Sequence, residues 1–228
     1  MWVIKIGGSW IKNPNLPKLI KILMNLKKQR FVIVPGGGIF ADSVRYASQL
    51  NNLREYDSHF LALKSTEIFG HMIKSFDKKI HVTEKIDDFK EKNLWLPSKI
   101  LKNVRNFKKN WESTSDSVAT WLYSKIHSEG IIFVKSISLG LEQRYKIVTL
   151  QDRGILDSNV KYYLKTKNNL RIIGPEIIQL LETYRDWDNL LKKLNFIKLW
   201  KKKDGHGFWL VQDIFLMNVF PVSYTHLT

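Results

Sequence analysis

Two glycine loops near the start of the chain have the composition of loops that hold phosphate groups. The apolar run Trp2-Val3-Ile4-Lys5-Ile6 ends at Gly7-Gly8-Ser9, and the run Phe31-Val32-Ile33-Val34 ends at Pro35-Gly36-Gly37-Gly38. Glycine lacks a Cβ atom, so the backbone N–H groups of such a loop approach an anion closely, and the helix that follows adds its positive N-terminal end. Two neighbouring loops of this kind could hold the two partners of a phosphoryl transfer.

The competing interpretation is that both loops are tight turns between a strand and a helix. A single Gly-Gly pair would favour that interpretation, but two loops, one preceded by Lys5 and one with three consecutive glycines, favour phosphate binding. Neither loop is a Walker A sequence, G-x-x-x-x-G-K-[ST], and the G-x-G-x-x-G pattern does not occur. The sequence therefore disfavours a P-loop NTPase and a dinucleotide-binding fold.

The elements that must position these loops alternate between strand-like and helix-like patterns, which predicts an α/β fold. Predicted strands cover residues 2–6, 31–34, 80–82, 94–96, 131–134 and 170–173. Predicted helices cover residues 16–23, 40–50, 58–75, 113–125, 160–164 and 176–182. Helices on both faces of a mainly parallel central sheet give a three-layer αβα sandwich, in which ligands bind at the carboxyl ends of the strands.

We expect one domain over residues 1–220. The last residues, 221–228, fit no element and are predicted to be a non-native tail. The chain begins with a strand-like run, so no signal peptide is predicted, and no apolar run approaches the ~20 residues that cross a bilayer. The expected compartment is the cytoplasm, without membrane association.

The charge balance is strongly basic, with 37 Lys and Arg against 21 Asp and Glu and a net charge of +16. A nucleic-acid-binding protein is one interpretation. The lysines are, however, spread along the whole chain, and no arginine-rich arm, zinc finger or aromatic RNA-binding motif accompanies them. We therefore expect no specific nucleic-acid partner, and a positive field that attracts phosphorylated substrates. The absence of cysteine excludes a disulfide framework, a zinc–thiolate site and a cysteine nucleophile.

Three segments of the sequence resemble the amino acid kinase superfamily. These segments are Val3-Ile4-Lys5-Ile6-Gly7-Gly8-Ser9, Val32-Ile33-Val34-Pro35-Gly36-Gly37-Gly38 and Thr114-Ser115-Asp116-Ser117-Val118-Ala119. The resemblance extends over residues 2–182. Within the superfamily, the segment Gly38-Ile39-Phe40-Ala41-Asp42-Ser43-Val44-Arg45 and the segment that starts at His59 are most similar to one branch. That branch phosphorylates 5-(aminomethyl)-3-furanmethanol phosphate in methanofuran biosynthesis.

The resemblance implies an ATP-dependent kinase that acts on a small phosphorylated metabolite and forms a homodimer. No cluster of carboxylates suggests a metal site held by the protein, so Mg²⁺ is expected to arrive with ATP. The roles that the resemblance implies are transition-state stabilisation by Lys5, nucleotide binding by Gly7, Gly8 and Ser9, and acceptor binding by Gly36, Gly37 and Gly38.

Three further residues have two interpretations each. Asp116 matches the aspartate that holds the catalytic lysines of the family, and with Ser113 it also reads as a capping box. Arg45 could contact an anionic acceptor, or pair with Asp42 three residues earlier. His59 could touch the acceptor, or simply stand at the start of a helix.

The chain departs from the family pattern after the strand at residues 131–134. Lys135 stands where the family has a loop that contacts the nucleotide, but Ser136-Ile137-Ser138-Leu139-Gly140 lacks the aspartate of the usual Val-Asp-Gly segment. The second catalytic lysine of the family has no matching motif here, and Lys12 and Lys135 are the candidates. The alternative function is therefore a nucleotide- or phosphometabolite-binding protein of the same fold with lost or weakened catalysis.

Overall fold

The strands and helices alternate along the chain in the computed structural model, which describes residues 1–164, 168–184 and 186–199. The strands in the described part are β1 (Trp2–Ile6), β2 (Phe31–Pro35), β3 (His81–Thr83), β4 (Lys92–Trp95), β5 (Gly130–Val134), β6 (Arg144–Lys146), β7 (Leu170–Ile173) and β8 (Asn195–Lys198). The helices are α1 (Leu16–Asn25), α2 (Gly38–Leu50), α3 (Glu55–Phe76), α4 (Ser98–Asn103), α5 (Ser115–Lys125), α6 (Ile147–Asp152), α7 (Val160–Leu164), α8 (Ile177–Thr183) and α9 (Trp187–Lys193).

The strands form one sheet in the order β3-β4-β2-β1-β5-β7-β8-β6. Every pair is parallel except β7 and β8, which run antiparallel. The three central strands are in register, so that Ile6 at the end of β1 lies beside both Pro35 of β2 and Val134 of β5. Three loops therefore leave the sheet side by side at the same edge, which is where a parallel sheet binds ligands.

The core divides into two layers because successive side chains of a strand point to opposite faces of the sheet. On one face, Val3 packs in a cluster with residues of α5 and α7. On the other face, Ile4 packs in a cluster with residues of α1 and α8. The central strands are buried at every position, as expected for a parallel sheet covered on both sides. The predicted three-layer αβα arrangement is confirmed.

Each predicted element overlaps an observed strand or helix. The predicted strands at residues 2–6 and 170–173 have the observed limits, and the predicted helices at 40–50 and 58–75 correspond to α2 and α3, which begin two and three residues earlier. The short elements α4, α6, α9, β6 and β8 were not predicted. The predicted domain end at residue 220 and the predicted tail at 221–228 lie outside the described residues.

Candidate active site

The two glycine loops touch each other at the edge of the sheet. A Cβ atom on Gly8 would lie 2.0 Å from the backbone nitrogen of Gly38, and one on Gly36 would lie 2.2 Å from that of Gly8. Gly38 also has a positive φ of +54°, a conformation that side chains with a Cβ atom rarely adopt. The contact between the loops thus requires glycine at these positions whether or not a phosphate binds.

Not every predicted phosphate-binding N–H group of these loops is available. The Gly7 N–H donates to the carbonyl oxygen of Val134 at 2.9 Å, and the Gly36 N–H donates to that of Ile6 at 2.8 Å. The prediction that these two N–H groups face a phosphate is therefore wrong, because both are already used to join the strand ends. Gly8 and Ser9 open a 3₁₀ helix and Gly38 opens α2, and the first N–H groups of a helix have no partner within it. These residues are the ones left to bind an anion.

A buried ion cluster lies beside the glycine loops. The Nζ atom of Lys5, on β1, lies 2.8 Å from Oδ1 of Asp116, and the Nζ atom of Lys135, just after β5, lies 2.7 Å from Oδ2. The side chains are 5%, 4% and 13% exposed for Lys5, Asp116 and Lys135. Lys135 donates a well-aligned hydrogen bond, whereas the Lys5 contact is an ion pair by distance without hydrogen-bond alignment. Asp116 thus holds two ammonium groups together at the end of the sheet.

The surroundings of this cluster shift the pKa values of Asp116 and Lys135. Burial alone would raise the pKa of Asp116, but Lys135 and Lys5 outweigh burial and lower it. Burial lowers the pKa of Lys135 to about 8, with Lys5 acting in the same direction and Asp116 opposing it. Asp116 is therefore a carboxylate at neutral pH, and Lys135 is an ammonium that loses its proton only slightly above neutrality.

The structure separates the two interpretations of Asp116. The residue before α5 is Thr114, and no side chain of the cap residue bonds to the helix backbone. Asp116 lies in the first turn of α5 with both carboxylate oxygens directed at lysines. The capping-box interpretation is wrong, and the lysine-holding arrangement is the one observed.

Lys135 lies just after β5, as the sequence predicts, and its side chain contacts Asp116. Its predicted contact with a nucleotide stays a prediction. Lys12, the other candidate for a second catalytic lysine, lines a separate shallow cavity with Ser9 and Ser136. Of the two candidates, Lys135 is the one that the structure brings to Lys5.

A second carboxylate, Asp157, lies next to the cluster and was missed by the sequence analysis. Its Oδ1 accepts a hydrogen bond from the Thr114 hydroxyl at 2.6 Å, and its Oδ2 accepts one from the Ser117 N–H at 2.9 Å. Burial and the nearby Asp116 carboxylate raise its pKa. No local pattern marks this residue, because its partners lie some 40 positions away in the sequence.

A cavity of about 200 Å³ opens on the other side of the glycine loops. It is lined by loop residues, by α2 and α3 and by the segment before α5, namely Gly8, Ser9, Gly37, Gly38, Ala41, Asp42, Arg45, His59, Ala62, Leu63, Thr66, Trp111, Ser113, Thr114 and Ser115. Ser9 lines this cavity and the shallow one beside Lys12. The glycine loops therefore stand between two openings, and the one lined by α2 and α3, which we call the α2–α3 cavity, is the size of a small metabolite.

Arg45 and His59 both line the α2–α3 cavity. Nη1 of Arg45 bonds to Oδ1 of Asp42 at 3.0 Å, which is the predicted ion pair within the helix, and the guanidinium also lies 4.7 Å from the ring centroid of Trp111. Trp111 carries no motif and was not predicted. Arg45 thus presents its charge at the cavity wall while it is paired along α2.

His59 lies within α3 and not at its start, because the helix begins at Glu55. The imidazole is buried, and Nε2 lies 2.9 Å from the carbonyl oxygen of Ser113. Nδ1 has no hydrogen-bond partner among the described residues. Burial lowers the pKa of His59, so the ring is neutral unless an anion binds nearby.

The described residues do not assemble a metal site or a membrane span. No group of three or more His, Cys, Asp and Glu side chains in residues 1–164, 168–184 and 186–199 has the geometry to hold a metal ion. Within the same ranges, no helix is both long enough and apolar enough to cross a membrane.

Comparisons with known proteins find sequence similarity to kinases. The sequence model of the Amino acid kinase family matches residues 1–86. A [5-(aminomethyl)furan-3-yl]methyl phosphate kinase from Methanocaldococcus jannaschii is 32% identical over 147 residues, which cover 60% of this chain and 66% of the relative. The match therefore spans just under two thirds of the relative's length.

Solved structures show the same fold at low sequence identity. The uridylate kinase from Archaeoglobus fulgidus superposes with a TM-score of 0.61 at 11% identity, covering 87% of this chain and 99% of that one. The UMP kinase from Ureaplasma parvum superposes with a TM-score of 0.58 at 14% identity, covering 86% of this chain and 97% of that one.

Proposed function

We propose that this chain, which is similar in sequence to the amino acid kinase family, is an ATP-dependent kinase that phosphorylates a small metabolite carrying a phosphate group. The observation that carries the proposal is the pair of ammonium groups, Lys5 and Lys135, held on one buried carboxylate next to the glycine loops. Phosphoryl transfer depends on positioning and on neutralising negative charge that spreads over the transferred group. Two preorganised cations in a site with little water supply that neutralisation.

Each residue of the cluster has a distinct part in the proposed reaction. Lys5 and Lys135 stabilise the charge on the phosphoryl group during transfer, and Asp116 orients both ammonium groups without touching the substrates. The N–H groups at Gly8, Ser9 and Gly38 bind phosphate oxygens. Mg²⁺ would come with the nucleotide and reduce the repulsion between its phosphates.

The proton balance favours a phosphate oxygen as the acceptor. The bond between the γ-phosphorus and its bridging oxygen breaks, ADP leaves with the electron pair, and an acceptor oxygen forms the new bond to phosphorus. A hydroxyl acceptor must also lose a proton, whereas a phosphate monoester, with a second pKa near ~6, is already mostly a dianion at pH 7. Asp116 is a poor base, since both of its oxygens face ammonium groups and its pKa is lowered.

We propose an aminomethylfuran phosphate as the acceptor, which would become the diphosphate. The name of the Methanocaldococcus relative describes such a substrate. The α2–α3 cavity suits it, because Arg45 and His59 supply groups that attract a phosphate and Trp111 supplies a flat surface for a ring. The acceptor therefore belongs in this cavity, with the nucleotide on the side of Lys12 and Ser136.

The alternative function is a binding protein of the same fold with weakened catalysis. The missing aspartate in the segment 136–140 favours it, because that position contacts the nucleotide in the pattern that the family follows. The intact pair of lysines on Asp116 favours catalysis.

A transfer assay with purified protein separates these functions. The protein is incubated with Mg-ATP and the aminomethylfuran phosphate, or with uridylate, and the products are followed by ³¹P NMR. We expect ADP and a new diphosphate resonance with the furan acceptor. Nucleotide binding without transfer to either acceptor would support the alternative, and the absence of both would contradict the kinase proposal.

The variant Lys5→Ala tests the residue that carries most of the chemistry. Removing one of two cations from the transferred group is expected to lower kcat by a factor on the order of 100 or more. Lys21→Ala, an exposed lysine on α1, is the matched control and should leave kcat unchanged. Thermal unfolding followed by circular dichroism checks that both variants remain folded. Wild-type turnover in folded Lys5→Ala would show that Lys5 has another role.

Two parts of the sequence prediction stay predictions. We propose that the kinase is a homodimer and that it works in the cytoplasm. Analytical ultracentrifugation of the purified protein tests the first by measuring its mass in solution.

A further inference from the structure

We infer that Asp157 is a positioning residue of this active site, one that fixes the start of α5 and balances the charge of the two lysines that Asp116 holds. The inference rests on the proposed kinase function. Asp157 lies in the connection between α6 and α7, far in the sequence from every other residue of the cluster.

The start of α5 lacks a cap of its own. Ser117 is the third residue of the helix, so its N–H has no partner within the helix, and the preceding Thr114 does not accept a bond from it. Asp157 accepts that bond with Oδ2 and takes the Thr114 hydroxyl with Oδ1. The carboxylate of Asp157 thus acts as an N-cap from a distant part of the chain. Its negative charge also interacts favourably with the positive N-terminal end of α5.

The contacts of Asp157 with the start of α5 determine the position of Asp116. Asp116 lies between Thr114 and Ser117 in the sequence, and Asp157 contacts both of these neighbours. The two contacts fix the turn from which the Asp116 side chain projects toward Lys5 and Lys135. A shift of this turn would move both ammonium groups relative to the transferred phosphoryl group, and such displacements are costly for transfer.

Hydrogen bonds also hold the connection between α6 and α7, which carries Asp157. The Nε2 atom of Gln151 donates to the backbone oxygen of Asp157 at 2.8 Å. The Nδ2 atom of Asn159 donates to the Ser113 hydroxyl at 2.9 Å, on the segment that precedes α5. Residues on both sides of Asp157 thus hold it in place, so that it can act as a fixed support and not as a mobile surface acid.

Charge gives Asp157 a second effect that a neutral cap would lack. The cluster contains two ammonium groups, on Lys5 and Lys135, and two carboxylates, on Asp116 and Asp157, so its charges cancel. Both oxygens of Asp157 accept hydrogen bonds, which suits the ionised form although burial raises its pKa. The charged groups that face Lys135 are Asp116 on α5, Lys5 on β1 and Asp157. The carboxylate of Asp157 raises the pKa of Lys135 and so favours the protonated lysine.

The variant Asp157→Asn separates the charge from the cap. Asparagine still accepts the Ser117 N–H bond, but the cluster then has one excess positive charge. The pKa of Lys135 is expected to fall further, so the alkaline limb of the pH profile of kcat moves down by about one pH unit. Asp157→Glu, which keeps the charge, should restore a limb close to that of wild type. Asp152→Asn, at an exposed aspartate at the end of α6, is the matched control and should change nothing.

A second measurement does not depend on turnover. NMR titration of protein with ¹³C-labelled lysine side chains follows the Lys135 resonance, assigned with Lys135→Arg. It should titrate at lower pH in Asp157→Asn than in wild type. If Asp157→Asn does not fold, Thr114→Val, which removes one donor to Asp157 and so disfavours its ionised form, should shift the Lys135 titration in the same direction.

The outcomes are distinct for the two proposals. A wild-type protein that transfers no phosphate contradicts the kinase function, whereas the NMR titration still measures the effect of Asp157 on Lys135. A folded Asp157→Asn protein with an unchanged alkaline limb and an unchanged Lys135 titration overturns the inference and leaves Asp157 as a structural cap only.

Discussion

At the scale of single residues, the protonation of Lys135 links burial to chemistry. In the proposed reaction the Lys135 ammonium neutralises the transferred phosphoryl group, and the pKa of Lys135 is about 8 because this group is buried beside Lys5. We predict that kcat falls as the pH rises through about 8, since the neutral amine no longer stabilises the transition state. A pH profile of kcat at saturating substrates measures this limb. A flat profile from pH 7 to about 9.5 would show that Lys135 keeps its proton or does not take part.

The same shift has the opposite effect on stability. The pKa of Lys135 is lower in the folded protein than its usual value of 10.5, so the unfolded chain binds more protons between about pH 8 and 10.5. The contribution of this residue to stability therefore rises with pH across that window, and below about pH 8 it no longer changes because both states hold the proton. Urea unfolding of wild type and Lys135→Met at several pH values measures the difference. A stability gap between the two proteins that does not change with pH would contradict the assigned shift.

Some residues of the site could be predicted from the sequence and others could not. The difference is whether a residue lies in a local motif or acts through partners that are distant in the sequence. Lys5 and Asp116 stand in motifs, so their residue types could be matched to a role. Lys135 was noticed by its place after a strand, but its partner could not be read without the packing of α5 against the sheet. Asp157 and Trp111 carry no local pattern, because what they do depends on segments that only the fold brings to them.

At the scale of elements, the contact between the two glycine loops fixes the relative position of β1 and α2. Elements with long apolar patterns were predicted because burial on one face imposes a period of about 3.6 or 2 residues. The short elements α4, β6 and β8 have too few residues to show a period, and the antiparallel pairing of β8 depends on its distant neighbour β7. The register that brings the loops together could be expected from parallel strands, but their direct contact could not.

We predict that Gly8→Ala disrupts both stability and activity. Its Cβ would lie 2.0 Å from the Gly38 nitrogen and 2.5 Å from the Gly38 Cα, and because these are backbone atoms one loop must move. The expected loss of unfolding free energy is about 3 kcal/mol, with a large loss of kcat because the phosphate-binding N–H groups shift. Urea unfolding and the transfer assay measure the two effects.

Gly7→Ala is the matched control for this change. At Gly7 the nearest atom to a new Cβ is the Val134 oxygen at 3.3 Å, and the backbone has an ordinary φ of −59°, so the expected cost is much smaller. Equal losses in the two variants would mean that the contact between the loops is not what requires glycine at position 8.

At the scale of the whole molecule, the net charge of +16 could serve either nucleic acid or small phosphorylated substrates. The fold and the metabolite-sized cavity favour small substrates, whose approach the positive field would accelerate. Lys5 and Lys135 are buried, so salt should screen the approach of substrates much more than the proposed chemistry.

We therefore predict that kcat/KM falls several-fold when the ionic strength rises from about 0.1 M to about 1 M, while kcat changes little, because the Debye length shrinks from about 10 Å to about 3 Å. The double variant Lys27→Glu/Lys78→Glu, at two exposed lysines, lowers the net charge from +16 to +12, since each change removes two charges. This double variant should have a lower kcat/KM than wild type at low salt, and the same kcat/KM as wild type at high salt. A parallel fall of kcat in salt would place the effect inside the site.

Tight, salt-sensitive binding of RNA or DNA that ATP does not displace would instead support a nucleic-acid partner, since long polyanions depend on the same lysines but not on the cavity.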